Sequence, residues 1–396
     1  MFENIIGQDN VVSILRSELG SRSLPSSLLF YGEPYSGKLS TALETARALT
    51  CTSDASWGCA CRSCALQRLL AHPATVLMGT RPFLAEIAAC RDVLERQGNA
   101  PARYLYLRAV RKLVRRFDPF LWEGYDGRLR SVFPVVREVE EMLGEMELEG
   151  APPRKQELSA RLDRIRDRAG TLAAALPRDN VPVHVIRKAA FWARLSAEGQ
   201  AKVIIIENAE RMGDSSWNSL LKLLEEPPPG VYLILLAANK NAVAPTILSR
   251  VRRYRFAPRG AESSRAVIER IFRDSSGAHA SLAEYFLNWE RLSGDRAHAL
   301  ARQFLEVISD PHAAEGPLFA ACQKEGASDP AGFFREFVRT LLEQMRLLWR
   351  HGALALRVME SWNRVVQNAW REQSVLNLQP LLTIQGMYYR MRRALE

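Results

Sequence analysis

The 396-residue sequence predicts an α/β fold with a parallel sheet, interrupted by a helical insert and followed by an all-α C-terminal third. Three observations carry this. The apolar runs SLLFY (27–31), KVIIIE (202–207) and VYLILLAAN (231–239) read as buried strands, and each is flanked by segments of helical period. Strands alternating with helices imply a parallel sheet. After Pro258 strand signals fade, and EYFLNWERL, FFREFVRTLLEQMRLLW and PLLTIQGMYYRMRRAL keep apolar residues at helical spacing.

Taken in order, the N-terminus MFENIIGQDN lacks the basic and apolar regions of a secretory signal, so a cytoplasmic chain is expected. SLLFY runs into GEPYSGK and then KLSTALETARALT, the strand, loop and helix that a phosphate-binding loop needs. Gly32 and Gly37 let backbone N–H groups approach a phosphate and Lys38 bonds its terminal oxygens. The next position, where a hydroxyl normally holds Mg²⁺, is Leu39, and Ser40 is turned about 100° from it on a helix. KVIIIE should end in acidic residues that handle Mg²⁺ and the attacking water. It ends in Glu207 and Asn208, and an amide is no base. Phosphate binding is therefore expected, and Mg²⁺-dependent hydrolysis is not.

Where the helix after this loop should stop, Cys51, Cys59, Cys61 and Cys64 form a Cys-x7-Cys-x-Cys-x2-Cys group. Four thiolates hold Zn²⁺ tetrahedrally and staple a loop poor in apolar residues, so structural zinc is expected, with reduced or redox-active thiols as the alternative. Cys90 and Cys322 read as buried small hydrophobes. From about 78 to 180 the strand pattern breaks. RYLYLRAVRKLVRRF puts Tyr106, Val110, Leu113, Val114 and Phe117 on one helical face and Arg108, Arg111, Lys112, Arg115 and Arg116 mostly on the other. That basic stripe is read as a solvated face or as a surface for DNA phosphates or an acidic partner. Leu158, Leu162, Ile165, Leu172 and Leu176 mark a second helical arm, with a break near 150–153.

The length exceeds the roughly 250 to 300 residues at which one core stops growing, so two or three domains are expected. With 47% hydrophobic and 25% charged residues and no uncharged apolar run of about 18, the chain reads as globular with no membrane span. A net charge of +10 and a pI near 9.5 point to a polyanionic partner, of which nucleic acid is the commonest.

Together, FENIIGQ, GEPYSGK, the four cysteines directly after the loop helix, KVIIIENAERM, NSLLKLLEEPP and PTILSRVRRYRF resemble bacterial DNA polymerase III clamp-loader subunits of the AAA+ class, the delta-prime and gamma/tau type. The resemblance covers about 1–75 and 181–258, and 259–396 by helical character alone. It implies an AAA+ P-loop region with zinc module (51–64) and insert over 1–181, the rest of the AAA+ core over 182–258, a helical lid over 259–312 and a helical collar that oligomerises over 313–396. It implies nucleotide-binding roles for Gly32, Gly37, Lys38, Ser40, Asn239 (first sensor) and Arg296 (second sensor), and a degenerate metal-handling role for Glu207. Arg250, preceded by Ser249 and followed by Val251 where the family has Cys, is implied to reach ATP in a neighbouring subunit. The implied partners are the other clamp-loader subunits, a sliding clamp and primed DNA. ATP is a candidate ligand, and Mg²⁺ is not expected at the chain's own site. Leu39 and Asn208 favour a delta-prime-like stator. The alternatives are a gamma/tau-like ATPase and a non-enzymatic nucleic-acid-binding protein acting through the insert. In the cysteine group, family members usually end Cys-x2-Cys-x2-Cys, whereas here Ala60 alone separates Cys59 from Cys61.

Overall fold

The computed structural model describes residues 1–79, 81–124, 131–148, 155–177, 181–195, 201–293, 295–310, 312–326, 330–350, 352, 354–376 and 378–395, and leaves the side chains of 148, 155, 287, 290–293, 295–299, 331, 332, 347, 350 and 374–376 outside the description. Two compact units emerge, Met1–Trp289 and Glu290–Glu396.

The first unit holds five parallel strands: β1 (Ser27–Tyr31), β2 (Thr75–Met78), β3 (Lys202–Ile206), β4 (Val231–Ala237) and β5 (Arg252–Arg255), in the order β2-β3-β4-β1-β5. In register, Leu29 of β1 lies beside Leu235 of β4 and Arg253 of β5. Side chains alternate between faces, and the strands are apolar on both. Leu28, Phe30, Val203, Ile205, Ile234 and Leu236 pack with helix α1 (Asp9–Gly20) and helix α2 (Lys38–Thr50). Leu29, Val76, Ile204, Ile206, Leu233 and Leu235 face the second, larger core. β1 and the beginnings of β3 and β4 fall where the apolar runs place them. β2 and β5 are absent from the sequence reading because TVLM is only one short run and RRYR carries a single buried side chain, Tyr254.

That larger core contains the insert. After α3 (Arg62–Arg68) come α4 (Phe83–Gln97), α5 (Ala100–Val114), a 3₁₀ turn (Arg115–Phe117), α6 (Pro119–Trp122), α7 (Phe133–Leu148) and α8 (Lys155–Ala175). Tyr106, Val110, Leu113, Val114, Phe117, Leu162, Ile165 and Leu172 are all buried with the sheet's side chains, as their periodicity predicts. The expected break near 150–153 lies outside the described residues.

The basic stripe corrects the reading of a solvated face: its side chains are turned onto carbonyls and carboxylates of the fold. Arg108 donates to the Arg68 carbonyl at 2.6 Å and to the Tyr104 hydroxyl at 3.1 Å. Arg111 reaches the Leu69 carbonyl at 3.2 Å and pairs with Glu140 and Glu147. Those carbonyls end α3, where no helical N–H remains and a cation is favoured. Arg115 donates to the carbonyl oxygens of Thr75 and His72 at 2.9 and 3.3 Å and pairs with Asp118. Periodicity separates two helix faces; it does not say whether the polar face meets water or other polar groups.

The remaining elements of the first unit are α9 (Val183–Arg194), α10 (Asp214–Glu225), α11 (Pro245–Leu248), α12 (Ala261–Ile271) and α13 (Leu282–Ser293) as far as Trp289. Ile268, Phe272, Leu282, Tyr285 and Phe286 of the expected lid join the sheet's larger core. The second unit contains α14 (Asp295–Ser309), α15 (Gly316–Gly326), α16 (Pro330–Arg350), α17 (Leu356–Leu376) and α18 (Pro380–Arg393) around Phe304, Phe334, Phe337, Trp362 and Tyr388. The Trp362 indole N–H is satisfied by the Met391 carbonyl at 2.8 Å, as burial of a polar atom requires. Cys90 and Cys322 are both buried.

Candidate functional site

The loop between β1 and α2 is closed on itself. Gly37, left-handed at φ 97°, is the N-cap of α2. A Cβ there would lie 2.7 Å from Nη2 of Arg259, so the guanidinium of Arg259 rests against the glycine. Arg259 also donates from Nε to the Tyr35 carbonyl at 2.9 Å and from Nη1 to the Ile6 carbonyl. Lys38 donates to the carbonyls of Gly32 and Glu33 at 2.5 and 2.6 Å and to the Ser36 hydroxyl at 3.2 Å. Burial pulls the Lys38 ammonium down to about 8 against Glu210, Glu207 and Glu33, which hold it up. Tyr35 stacks on Phe286 with centroids 5.1 Å apart. Leu39, at the hydroxyl position, is buried among the sheet's side chains, and Ser40 is exposed. A cavity of about 970 Å³ beside the loop is lined by Lys38, Ser40, Arg81, Glu207, Arg259 and Phe286, among others.

At the end of β3, Glu207 is buried, and its carboxylate is held by Arg116 through Oε1 and by Arg81 at 3.6 Å through Oε2. Arg116 also donates to the Met78 carbonyl at 3.1 Å, which accepts the Glu207 N–H at 2.9 Å as well. Gly79 makes this possible. Its φ is +90°, and a Cβ would sit 2.1 Å from the Glu207 carbonyl oxygen. Glu86 links Arg81, at 3.0 Å, to Lys112. Burial pushes the Glu86 carboxyl up, yet Lys112 and then Arg81 outweigh it and hold it down at about 2. The result is a chain of charges, Lys112, Glu86, Arg81, Glu207 and Arg116, that starts in the insert and ends on β3. A divalent cation approaching Glu207 would displace two guanidiniums. Sequence reasoning missed Arg81, Glu86 and Arg259, and placed Arg116 in the basic stripe rather than beside Glu207. The legible signal for Arg116 was its place beside Phe117, at the end of a fully buried stripe.

Asn208 also lines this cavity, whereas Asn239 and Arg250 lie apart from its lining. Asn208, at φ 50°, caps a 3₁₀ turn (Ala209–Arg211). Asn239 is exposed and accepts the Asn241 N–H at 2.9 Å. Arg250 is exposed between α10 and α11, paired with Glu225 at 2.7 Å and donating to the Thr246 carbonyl at 2.7 Å. Val251 is buried. The side chain of Arg296 lies outside the described residues.

Cys51 follows the last residue of α2 and Cys61 caps α3, so two helix ends set the thiols in position. The four sulfurs lie within 4.8 Å of one another, with Cys51 to Cys59 at 3.6 Å and Cys51 to Cys61 at 3.8 Å. Thiolates at about 2.3 Å from a tetrahedral zinc would be about 3.8 Å apart, so the donor set fits a metal. Cys51 accepts the N–H groups of Ser53 and Ala55 at 3.3 and 3.2 Å, and Cys61 accepts that of Cys64 at 3.4 Å. The Cys64 N–H and bonds from Thr52 draw the Cys61 thiol down to about 5.

Residues 179–260, containing Glu207, Asn239 and Arg250, match a family described as DNA polymerase III, delta subunit. An uncharacterised Mycoplasma pneumoniae protein is 36% identical over 70 residues, 18% of this chain and 28% of the relative. The DNA polymerase III subunit tau of Escherichia coli K12 is 34% identical over 83 residues, 21% of this chain and 13% of the relative. The DNA polymerase III subunit delta' of Haemophilus influenzae is 43% identical over 49 residues, 12% of this chain and 15% of the relative. The chain thus spans less than a third of the length of each of these relatives. A solved gamma-subunit-related protein from Thermotoga maritima overlaps 61% of this chain and 90% of its own at 17% identity and a TM-score of 0.31.

Proposed function

We propose that this chain, a relative of DNA polymerase III clamp-loader subunits through residues 179–260, is a clamp-loader subunit that helps place a sliding clamp on primed DNA, and that it works as a stator without ATP turnover of its own. The observation that carries this is the commitment of Glu207 to Arg116 and Arg81. Leu39 supports it, since a buried leucine offers no oxygen to Mg²⁺. Gly32, Gly37, Lys38, Ser40, Asn239 and Arg296 would be the nucleotide contacts. A phosphate would have to displace the carbonyls that now hold Lys38 and Arg259, so weak nucleotide affinity follows. The reading includes the lid at 259–312, the collar at 313–396, a cytoplasmic location and one structural zinc held by Cys51, Cys59, Cys61 and Cys64.

In this reading Arg250 leaves Glu225 and meets the γ-phosphate of ATP in the adjacent subunit, where its planar fork suits phosphate oxygens. The test is steady-state ATP hydrolysis and clamp loading by the reconstituted assembly. Arg250→Ala should leave assembly intact, because an exposed ion pair contributes little to stability. It should depress hydrolysis at the one affected interface, where an arginine supplied in trans is worth about 10³ to 10⁵ in rate. Arg250→Lys should rescue poorly. Unchanged hydrolysis and loading would remove the arginine role. Turnover by the isolated chain at about 1 s⁻¹ would replace the stator with a gamma/tau-like ATPase.

A further inference from the structure

We infer that Arg47, on the helix that follows the phosphate-binding loop, is a positioning residue for the metal centre: its guanidinium holds the Cys64 thiolate and ties the cysteine module to α2. This rests on the reading of the four cysteines as a metal site. Arg47 and Glu44 stand three residues apart on one helix face and are both buried, at 2% and 5% exposure. Their pairing is a two-pronged fork, Nε to Oε2 at 2.8 Å and Nη2 to Oε1 at 2.7 Å. The fork fixes the plane of the guanidinium and aims Nη1 at Cys64 Sγ, 3.0 Å away, while Nη2 also donates to the Ala55 carbonyl at 2.8 Å. Glu44 is fixed in turn by the Phe2 N–H at 3.1 Å. Cys64, with no exposed surface, is the most buried of the four ligands. Backbone N–H groups serve Cys51 and Cys61, whereas the donor that reaches Cys64 is a side chain. A four-thiolate centre concentrates negative charge out of water, and N–H···S bonds spread that charge and fix the sulfur directions.

The full chain is prepared with Zn²⁺ and, separately, with Co²⁺ in its place. Zinc affinity is measured by chelator competition and the thiolate-to-cobalt charge-transfer band by absorption. Arg47→Met should weaken zinc binding about 10- to 100-fold, the usual effect of losing an outer-shell partner. It should also move the cobalt band to longer wavelength, because a sulfur relieved of its hydrogen bond gives up electrons more easily. Arg47→Lys keeps the charge without the fork and should fall between. Equal affinity and an unmoved band in Arg47→Met overturn the proposal. If that variant does not fold, Arg47→Lys decides alone, and wild-type affinity and band in it overturn the proposal. Wild-type protein that takes up neither metal overturns the metal reading itself, an outcome distinct from metal bound equally by wild type and variants.

Discussion

Glu207 shows how one side chain decides what a strand end can do. A carboxylate buried at this place is tolerable only because Arg116 and Arg81 compensate its lost hydration. Removing Arg116 leaves the charge half compensated. Arg116→Met should therefore lower stability toward the bottom of the range of about 3 to 5 kcal/mol that breaking a buried pair costs, Arg81 remaining as a partner. Denaturant unfolding of the single variant beside Arg116→Met/Glu207→Leu checks this. The double variant should recover most of the loss, and a single variant as stable as wild type would show the pair to be dispensable.

At the scale of elements, the insert is held to the sheet by apolar packing on one side of α5 and by charge on the other. Replacing residues 82–176 with a short linker would uncover Val76, Ile204 and Ile206, so the shortened chain should be insoluble or unfolded, as thermal unfolding and solubility would report. The charge side gives a pH dependence. The Glu86 carboxyl lies at about 2 in the fold against an ordinary 4.5, so between those values the unfolded chain binds more protons. Its contribution is complete above about pH 4.5 and is lost as the pH falls toward 2. Denaturation across that window should show stability falling with acid in the wild type and less steeply in Glu86→Gln. The apolar half of this arrangement was legible from Tyr106, Val110 and Leu113, because helical period reports which side chains share a face. The charged half was not, because Glu86, Arg81 and Glu207 approach Arg116 and Lys112 from elements distant in sequence. The strand, loop and helix around Gly32, Gly37 and Lys38 were legible through local spacing, but not the seating of Arg259 on Gly37, which the pairing of β5 with β1 brings about.

At the scale of the molecule, each unit has its own core, and that of Glu290–Glu396 is built from Phe304, Phe337, Trp362 and Tyr388. Residues 290–396 expressed alone should therefore fold as a helical domain with a cooperative thermal transition by circular dichroism; a non-cooperative melt would mean that this core is not self-sufficient. The sheet of the first unit has a consequence of its own. An outer strand normally leaves a row of carbonyls and amides open to any strand of another molecule. Here β2 has its outward Thr75 carbonyl taken by the Arg115 guanidinium, and β5 is four residues long with Arg252, Arg253 and Arg255 exposed along it. One border has a carbonyl occupied by a side chain and the other carries like charges, so both edges of the sheet are blunted against pairing with a strand of another copy.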